Sequence, residues 1–255
     1  MGTISFDKDP RRKAKLNPFD HVAISIGTLR KQLEKSGLSL PAEAIEKLWQ
    51  YHRLLREANP LLNLTRIHNF ESIVRKHYVD SIYPVSLLQK AGIDWPALSL
   101  DLGSGAGLPG IPLAIVLPER RFILTEGRRR RTDFLRATVE ALQLNNTEVL
   151  EKKLHAGIPS PRVDAVLARA VSSLASLIQA GSGVLRPGGL FIFWKGPNAL
   201  HEEKSVQNLP VELLRRDSYH LPHSRDERLL YVYRFLGQKQ LPIESERNAR
   251  FRMLE

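Results

Sequence analysis

The stretch LSLDLGSGAGLPGIPLAIVLPERRFILTEG, residues 98–127, places a glycine-rich turn directly after an apolar run. Alternating leucines in 98–102 predict a buried strand, and the apolar residues 111–117 predict a short helix that ends at Pro118. The glycines within 103–107 let the chain adopt positive φ values and let a ligand contact bare backbone, with helix amides directed at it. This order of elements is typical of a site for a nucleotide-like cofactor.

An acidic residue ends the next predicted strand. That strand covers 122–125, and Glu126 follows Asp101 by 25 residues. In nucleotide-binding folds an acid that binds the ribose hydroxyls lies about 20 residues along the chain. A tight turn without a ligand would not require an acid there, so we expect Glu126 to contact a ribose.

Two cofactor classes fit this turn. Residues 105–110 match the G-x-G-x-x-G pattern of dinucleotide sites, which short glycine runs also meet by chance. The longer pattern D-x-G-x-G-x-G over 101–107 fits S-adenosylmethionine better, because an acid at the strand end suits its cationic sulfonium and amino acid portion. Pro109 and Pro112 also remove amide donors that a pyrophosphate would need. The glycines alone leave both classes open.

The composition excludes several classes of protein. The 255 residues are 42% hydrophobic, which favours one globular α/β domain with an appendage. No apolar run approaches the ~18 residues that span a membrane, and no signal peptide opens the sequence, so we expect a cytoplasmic protein. The absence of cysteine excludes disulfides, thiolate metal sites and methyltransferases that form a covalent cysteine adduct. No metal is expected.

The charge balance is strongly basic. Lysine and arginine number 38 against 27 acidic residues, a net charge of +11. Such an excess attracts polyanions, of which nucleic acid is the usual one. The alternative is a basic protein that its charge keeps soluble.

Four regions are predicted along the chain. Residues 1–20 predict a disordered basic arm, and residues 21–96 an N-terminal helical extension. Residues 97–238 predict an α/β domain, and residues 239–255 a polar basic tail.

In the extension, helices are predicted over 24–36 and 41–58, with the Asn59-Pro60 pair ending the second. A further helical region covers 70–90, with an interruption at Pro84.

Beyond residue 97, strands alternate with helices. A helix predicted over 172–185 is closed by Arg186-Pro187-Gly188-Gly189, and the last predicted strand is 229–235. Alternation of this kind predicts parallel strands with helices on both faces.

Several motifs resemble those of RsmG, formerly GidB, the bacterial small-subunit ribosomal RNA guanine-N7 methyltransferases. The resemblance covers about residues 41–236, and its most specific part is G-x-G-x-G-x-P-G-I-P at 103–112. The motifs are Asn63-Leu64-Thr65, Arg75 to Ser81 (RKHYVDS), Asp101 to Pro112, Arg130-Arg131 with Phe134-Leu135, Ala168-Arg169-Ala170 and Lys195-Gly196.

This resemblance implies a Rossmann-like, seven-stranded, S-adenosylmethionine-dependent methyltransferase sheet with an N-terminal helical extension. It implies methylation of guanine N7 in 16S rRNA, at the guanosine conventionally numbered 527, and we expect a monomer that binds 16S rRNA or the small ribosomal subunit. The cofactor-binding residues are then Gly103, Gly105, Leu108, Glu126, Leu154, His155 and Arg169. Two positions depart from the family: His155 replaces a usual acid, and Ala58 an often-found tryptophan.

The chemistry of N7 methylation requires no catalytic base, because guanine N7 already presents a free lone pair. The protein then contributes positioning and electrostatics. The Asn/Asp-Pro-Pro-aromatic motif of exocyclic amine methylation is missing, and Ala168-Arg169-Ala170 stands at that strand end. Arg169 could orient the cofactor carboxylate, bind a phosphate or a guanine acceptor edge, or form a structural ion pair.

Four arginines, Arg128, Arg129, Arg130 and Arg131, begin a predicted helix beside the expected cofactor rim, where the macrodipole disfavours cations. Binding of RNA phosphates would explain them, and so we expect RNA contacts there and at Lys195. The alternative is a solvated run with Asp133 and Glu140 as partners.

His77 and Asp80 lie three residues apart on one helical face. They either orient each other near the cofactor or form a satisfied pair where the extension meets the sheet.

Three other functions remain open from the sequence. They are methylation of another RNA or of a small molecule, RNA binding without catalysis, and nicotinamide-dependent dehydrogenation.

Overall fold

The computed structural model describes residues 24–152, 162–169 and 172–237. The predicted arm at 1–20, the tail at 239–255 and the candidate residues Leu154 and His155 lie outside these ranges.

The described chain forms seven α-helices, one π-helical turn, one 3-10 helix and seven strands. The helices are α1 (Ile26–Lys35), α2 (Ala42–Leu62), α3 (Phe70–Ile73), the π-helical turn (Val74–Val79), α4 (Asp80–Lys90), α5 (Gly110–Val116), α6 (Arg129–Ala141), α7 (Leu174–Gly181) and the 3-10 helix (Pro197–Val206). The strands are β1 (Leu98–Leu102), β2 (Arg121–Glu126), β3 (Thr147–Glu151), β4 (Val163–Arg169), β5 (Leu185–Lys195), β6 (Val211–His220) and β7 (Glu227–Phe235).

The seven strands form one sheet in the order β3-β2-β1-β4-β5-β7-β6, which confirms the seven-stranded fold. Strands β1 to β5 are parallel, as the alternation predicted. The last two strands are not parallel to the rest, because β7 runs antiparallel to β5 and β6 antiparallel to β7. The loop from β6 to β7 covers only 221–226, and a connection so short cannot cross over to a parallel strand.

The helical extension shares its core with the sheet. Leu48 and Leu55 of α2 belong to the same buried cluster as Leu113 of α5 and Leu124 of β2. A second cluster on the other face of the sheet includes Leu177 of α7. Within the described ranges, no helix is both long and apolar enough to span a bilayer.

Helix α2 continues through Pro60 to Leu62, so the predicted end at Ala58 was wrong. A proline in the last turn removes one backbone hydrogen bond. The side chain of Asn59 makes two others, donating from Nδ2 to the Thr65 carbonyl at 3.0 Å and accepting the Thr65 N–H on Oδ1 at 2.8 Å. These bonds fold the following loop back onto the helix.

Pro84 does not interrupt its helix, contrary to the prediction, and the irregular segment is instead the π-helical turn. In a regular helix the amide of residue 84 would bond to the carbonyl of Asp80. That carbonyl instead accepts the indole N–H of Trp194 at 2.8 Å. The proline therefore frees an acceptor that joins α4 to β5.

The segment Arg186-Pro187-Gly188-Gly189 does not close a helix, because α7 ends at Gly181 and β5 begins at Leu185. Pairing of β4 with β5 jumps from Val163–Leu185 to Ala165–Leu190. The segment is therefore a bulge within β5. Gly188 occupies it with a φ of 80°, which is why the same residues suggested a helix C-cap.

Candidate active site

A cavity of about 890 Å³ lies at the carboxyl ends of β1, β2 and β4, where open α/β sheets bind their ligands. Of the predicted cofactor residues, Gly103, Gly105, Leu108, Glu126 and Arg169 line this cofactor cavity. Arg128 and Arg131 also line it, whereas Arg129 and Arg130 are exposed on the protein surface.

The glycine-rich turn has the backbone that the sequence predicted. Gly103, Gly105 and Gly107 adopt φ values of 72°, 59° and 95°. A Cβ atom on Gly107 would lie 2.3 Å from Ile111, whereas one on Gly105 would meet nothing nearer than 3.9 Å. Gly107 is thus required by packing, and Gly105 leaves open space on the cavity side.

The buried side chain of Asp101 stabilises the glycine-rich turn. It is 1% exposed, and its Oδ2 accepts the N–H of Gly110 at 3.0 Å. Its Oδ1 is buried without a hydrogen-bond partner among the described residues. Burial raises the pKa of Asp101 to about 6. One oxygen of this buried carboxyl group is therefore hydrogen-bonded, and the other has no partner among the described residues.

Glu126 connects the cofactor cavity to the arginine run. Its Oε1 accepts the backbone N–H of Arg128 at 2.9 Å, and its Oε2 lies 4.0 Å from Nη1 of Arg131. Arg131 also donates to the Asn63 carbonyl at 3.3 Å. Arg131 is therefore held in the structure, and the other three arginines are exposed.

The acidic partners suggested for this run are not found. Asp133 pairs with Arg136 at 3.6 Å. In the ion pairs of the described residues, neither Asp133 nor Glu140 contacts an arginine of the run.

The helical extension holds the turn in place, which the sequence analysis missed. The hydroxyl of Tyr51 on α2 donates to the Ala106 carbonyl at 2.7 Å, and the tyrosine is fully buried. A buried tyrosine needs a partner for its hydroxyl. That requirement indicates a polar contact, but it does not identify the partner.

A second cavity of about 560 Å³, the acceptor cavity, adjoins the first and shares His77, Arg169 and Ser172 with it. Of the residues predicted to contact RNA, Lys195 lines it. Sequence reasoning did not assign Lys76, Trp194, Asn198, Glu202 and Arg228, which line it too. Lys76 lies within the RKHYVDS motif, but the other four lie outside the quoted motifs, and only folding brings them next to Lys76.

Arg169 stands between the two cavities and is fixed by three partners. Its Nη1 donates to the Lys76 carbonyl at 3.0 Å and to Oδ2 of Asp80 at 3.3 Å, and Nη2 donates to Nδ1 of His77 at 3.1 Å. The structural ion pair is therefore present, and the same guanidinium lines both cavities. His77 and Asp80 act on Arg169 rather than on each other.

His77 is a neutral side chain of defined tautomer. A guanidinium only donates, so Nδ1 of His77 accepts and Nε2 carries the proton, which it donates to Oγ1 of Thr65 at 2.8 Å. Burial and the charge of Arg169 lower the pKa of His77 to about 3. His77 is thus a positioning residue rather than a proton carrier at neutral pH.

This lowered pKa predicts a pH-dependent stability. The unfolded chain binds a proton at His77 near pH 6.5 and the folded chain only near pH 3, so acid favours the unfolded state. Below pH 6 we expect His77→Gln to reduce the slope of the unfolding free energy against pH by up to about 1.4 kcal/mol per pH unit. Urea denaturation at several pH values measures that slope. The exposed His201 changed to Gln is the control, and equal slopes in wild type and His77→Gln would contradict the assignment.

The sequence is similar to proteins of one family. Residues 44–230 match the family model GidB, described as rRNA small subunit methyltransferase G. The chain is 33% identical to ribosomal RNA small subunit methyltransferase G of Polynucleobacter asymbioticus, over 85% of this chain and 99% of that protein. It is 42% identical to ribosomal RNA small subunit methyltransferase G 2 of Syntrophobacter fumaroxidans, over 80% of this chain but 41% of that longer protein.

Among solved structures, the glycopeptide N-methyltransferase MtfA in complex with sinefungin superposes with a TM-score of 0.50 at 10% identity. That match covers 62% of this chain and 87% of the other, and it supports the fold alone. The match to the family model spans both the glycine-rich turn and the segment that carries Arg169 and Lys195. The chain therefore belongs to the rRNA small subunit methyltransferase G family of methyltransferases.

Proposed function

We propose that this protein transfers a methyl group from S-adenosylmethionine to N7 of a guanine in 16S rRNA, at the guanosine numbered 527. The observation that carries the proposal is the pair of adjoining cavities that share Arg169 at the carboxyl edge of the sheet. A donor and an acceptor must meet in methyl transfer, and two cavities in contact provide for both. The protein would act in the cytoplasm, as a monomer, on the small-subunit RNA.

The cofactor cavity fits S-adenosylmethionine in three respects. Gly105 leaves backbone open to a ligand, since a Cβ there would meet nothing within 3.9 Å. Glu126 ends β2 at the place of a ribose-binding acid. The buried Oδ1 of Asp101 has no partner in the described chain, and a cationic ligand nearby would offset the cost of burying that carboxylate.

The acceptor cavity fits a nucleotide. Four cationic side chains line it, those of Lys76, Arg169, Lys195 and Arg228. A phosphate-bearing substrate is attracted by such a set of charges. The cavity of about 560 Å³ is within the size range of sites that enclose a small ligand.

S-adenosylmethionine, when bound, supplies an electrophilic methyl group, so that the S–CH₃ bond breaks as the N7–CH₃ bond forms and the positive charge moves to guanine. No proton has to leave N7. This agrees with a site in which His77 is neutral with a pKa near 3 and the Asp80 carboxylate is already bonded to Arg169 and Tyr219. The side chains of the site position the acceptor and exclude water.

Methylation of RNA from a strain that lacks this protein tests the proposal. We expect the purified protein to incorporate one labelled methyl group per small-subunit RNA, as 7-methylguanosine at position 527. S-adenosylhomocysteine should bind and NADH should not. Tight NADH binding with no response to S-adenosylhomocysteine would indicate a dehydrogenase. Cofactor binding without methylation of naked RNA, partial particles or whole subunits would favour a non-catalytic RNA-binding protein.

The exposed arginines are expected to bind RNA phosphates. Changing Arg128, Arg129 and Arg130 to Gln removes three charges and keeps helix propensity. RNA affinity should fall, and the slope of log affinity against log salt should shrink by about 0.7 to 0.9 for each lost phosphate contact. Arg128 lines the cofactor cavity, but its bond to Glu126 comes from the backbone N–H. Glutamine keeps that bond, so affinity for S-adenosylhomocysteine should hardly change.

A matched control removes three charges at the opposite edge of the sheet. Lys90, Arg121 and Arg162 are exposed and precede or begin the parallel strands β1, β2 and β4. Their replacement by Gln should leave the salt slope close to that of wild type. Equal slopes in the two triple variants would show that net charge, rather than this run, attracts the RNA.

A further inference from the structure

A half-buried lysine and a carboxylate form a pair in the wall of the acceptor cavity. Lys195 ends β5, and Glu202 lies on the 3-10 helix that follows. Nζ of Lys195 is 3.0 Å from Oε2 of Glu202, with side chains that are 10% and 29% exposed. Both residues line the cavity.

Each member of the pair has one unused hydrogen-bonding position. Nζ of Lys195 also donates to the Ser172 carbonyl at 2.7 Å, so two of its three donors are engaged. Oε2 of Glu202 accepts the N–H of Leu174 at 2.7 Å as well as Lys195. Among the described residues no donor reaches Oε1. The cavity therefore presents a free donor beside a free acceptor.

The other carboxylate that lines the cavity is already used. Oδ1 of Asp80 accepts the hydroxyl of Tyr219 at 2.9 Å, and Oδ2 accepts from Arg169 at 3.3 Å and from Arg228 at 3.5 Å. Of the two carboxylates lining this cavity, Glu202 is thus the one with an oxygen available to a ligand.

Guanine has the complementary edge. Its O6 accepts, and the neighbouring N1–H and N2 amino group donate, whereas adenine presents a donor at the first place and an acceptor at the second. We propose, on the basis of the function proposed above, that Lys195 and Glu202 select guanine. The lysine donates to O6, and the carboxylate accepts from N1–H and the N2 amino group.

The charge of Glu202 also suits the product. Methylation at N7 leaves the guanine with a positive charge, and a carboxylate on the opposite edge of the base stabilises that charge as it develops. A phosphate would be repelled by this carboxylate, whereas the N1–H and N2 amino donors of guanine are attracted to it. The pair therefore has a reason to face the base rather than the RNA backbone.

Inosine in place of the target guanosine tests this readout, because it lacks only the N2 amino group. We expect wild type to methylate the guanosine RNA with a kcat/KM about 10-fold or more above that of the inosine RNA, as for one hydrogen bond to a charged group. Glu202→Gln replaces one carboxylate oxygen by an amide NH2 group, which donates instead of accepting. In this variant the preference for the guanosine RNA should fall to less than about 3-fold. Glu202→Asp shortens the side chain and moves the free oxygen away from the base, so this variant should lose the preference as well.

Glu203→Gln is the matched control. Glu203 bonds to Arg216 and Tyr231 outside the cavity, so this variant loses the same charge and should keep the preference. A melting temperature and an S-adenosylhomocysteine affinity close to those of wild type establish that each variant is folded.

The inference is overturned if wild type methylates both RNAs equally, or if Glu202→Gln and Glu202→Asp keep the wild-type preference. The pair then only caps α7 through Leu174. If wild type methylates neither RNA, the proposed function itself fails, and that result is distinct from a change in preference.

Discussion

Gly105→Val is expected to abolish binding of S-adenosylmethionine while the protein stays folded. Gly105 lines the cofactor cavity with a φ of 59°, and a branched side chain there would occupy the space that the ligand needs. We expect the affinity for S-adenosylhomocysteine to fall by at least about a hundredfold, since overlap of a ligand with two methyl groups cannot be relieved by a rigid turn. Isothermal titration calorimetry measures this affinity.

Gly92→Val separates this effect from backbone strain. Gly92 follows α4 with a φ of 71°, and no atom lies within 4 Å of its Cβ position. The two variants should therefore have similar losses in melting temperature, and only Gly105→Val should lose the ligand. Unchanged affinity in Gly105→Val would place the cofactor elsewhere.

Asp80→Asn is expected to have the largest effect on stability. Asp80 is 3% exposed and its carboxylate bonds to Arg169, Arg228 and Tyr219. Asparagine keeps the volume and can accept from Tyr219, but it leaves the half-buried Arg169 without its ion pair. Breaking a buried pair on one side costs about 3–5 kcal/mol. Urea denaturation at pH 7 should show a loss of this size.

The same substitution should also reduce methyl transfer, because Arg169 lines both cavities and Asp80 fixes its position. The exposed Asp94 changed to Asn is the control for the loss of one negative charge, and its stability should stay within about 0.5 kcal/mol of wild type. If Asp80→Asn were as stable and active as Asp94→Asn, the ion pair would contribute neither to folding nor to the site.

Local signals in the sequence predicted the cofactor half of the molecule. The strand β1, the glycine-rich turn and the acid that ends β2 lie within 98–127, and each depends on neighbours close in the chain. Gly103 and Gly105 adopt the positive φ values that glycine permits and that other residues disfavour. The carboxyl ends of parallel strands meet at one edge of the sheet, so Arg169 and Lys195 could be placed there too.

Where a local sequence signal gave a wrong prediction, a hydrogen bond or a strand pairing outside the local pattern was responsible. Pro84 normally breaks a helix, but the acceptor it frees on Asp80 is used by Trp194, which is 114 residues away. Pro60 is tolerated because Asn59 binds the loop beyond it. The residues of the bulge in β5 are also typical of a helix C-cap. Only the pairing of β5 with β4 shows that they form a bulge.

The sequence by itself determined the fold class, the family and the glycine-rich turn, since these depend on short-range periodicity and on residue types with characteristic backbone preferences. Only the tertiary structure determined which residues line the acceptor cavity. Asp80 and Arg169 are 89 residues apart, and Leu174 and Glu202 are 28 apart. A hydrogen bond acts over about 3 Å, so which of several polar side chains become partners is fixed only when helices and strands pack together.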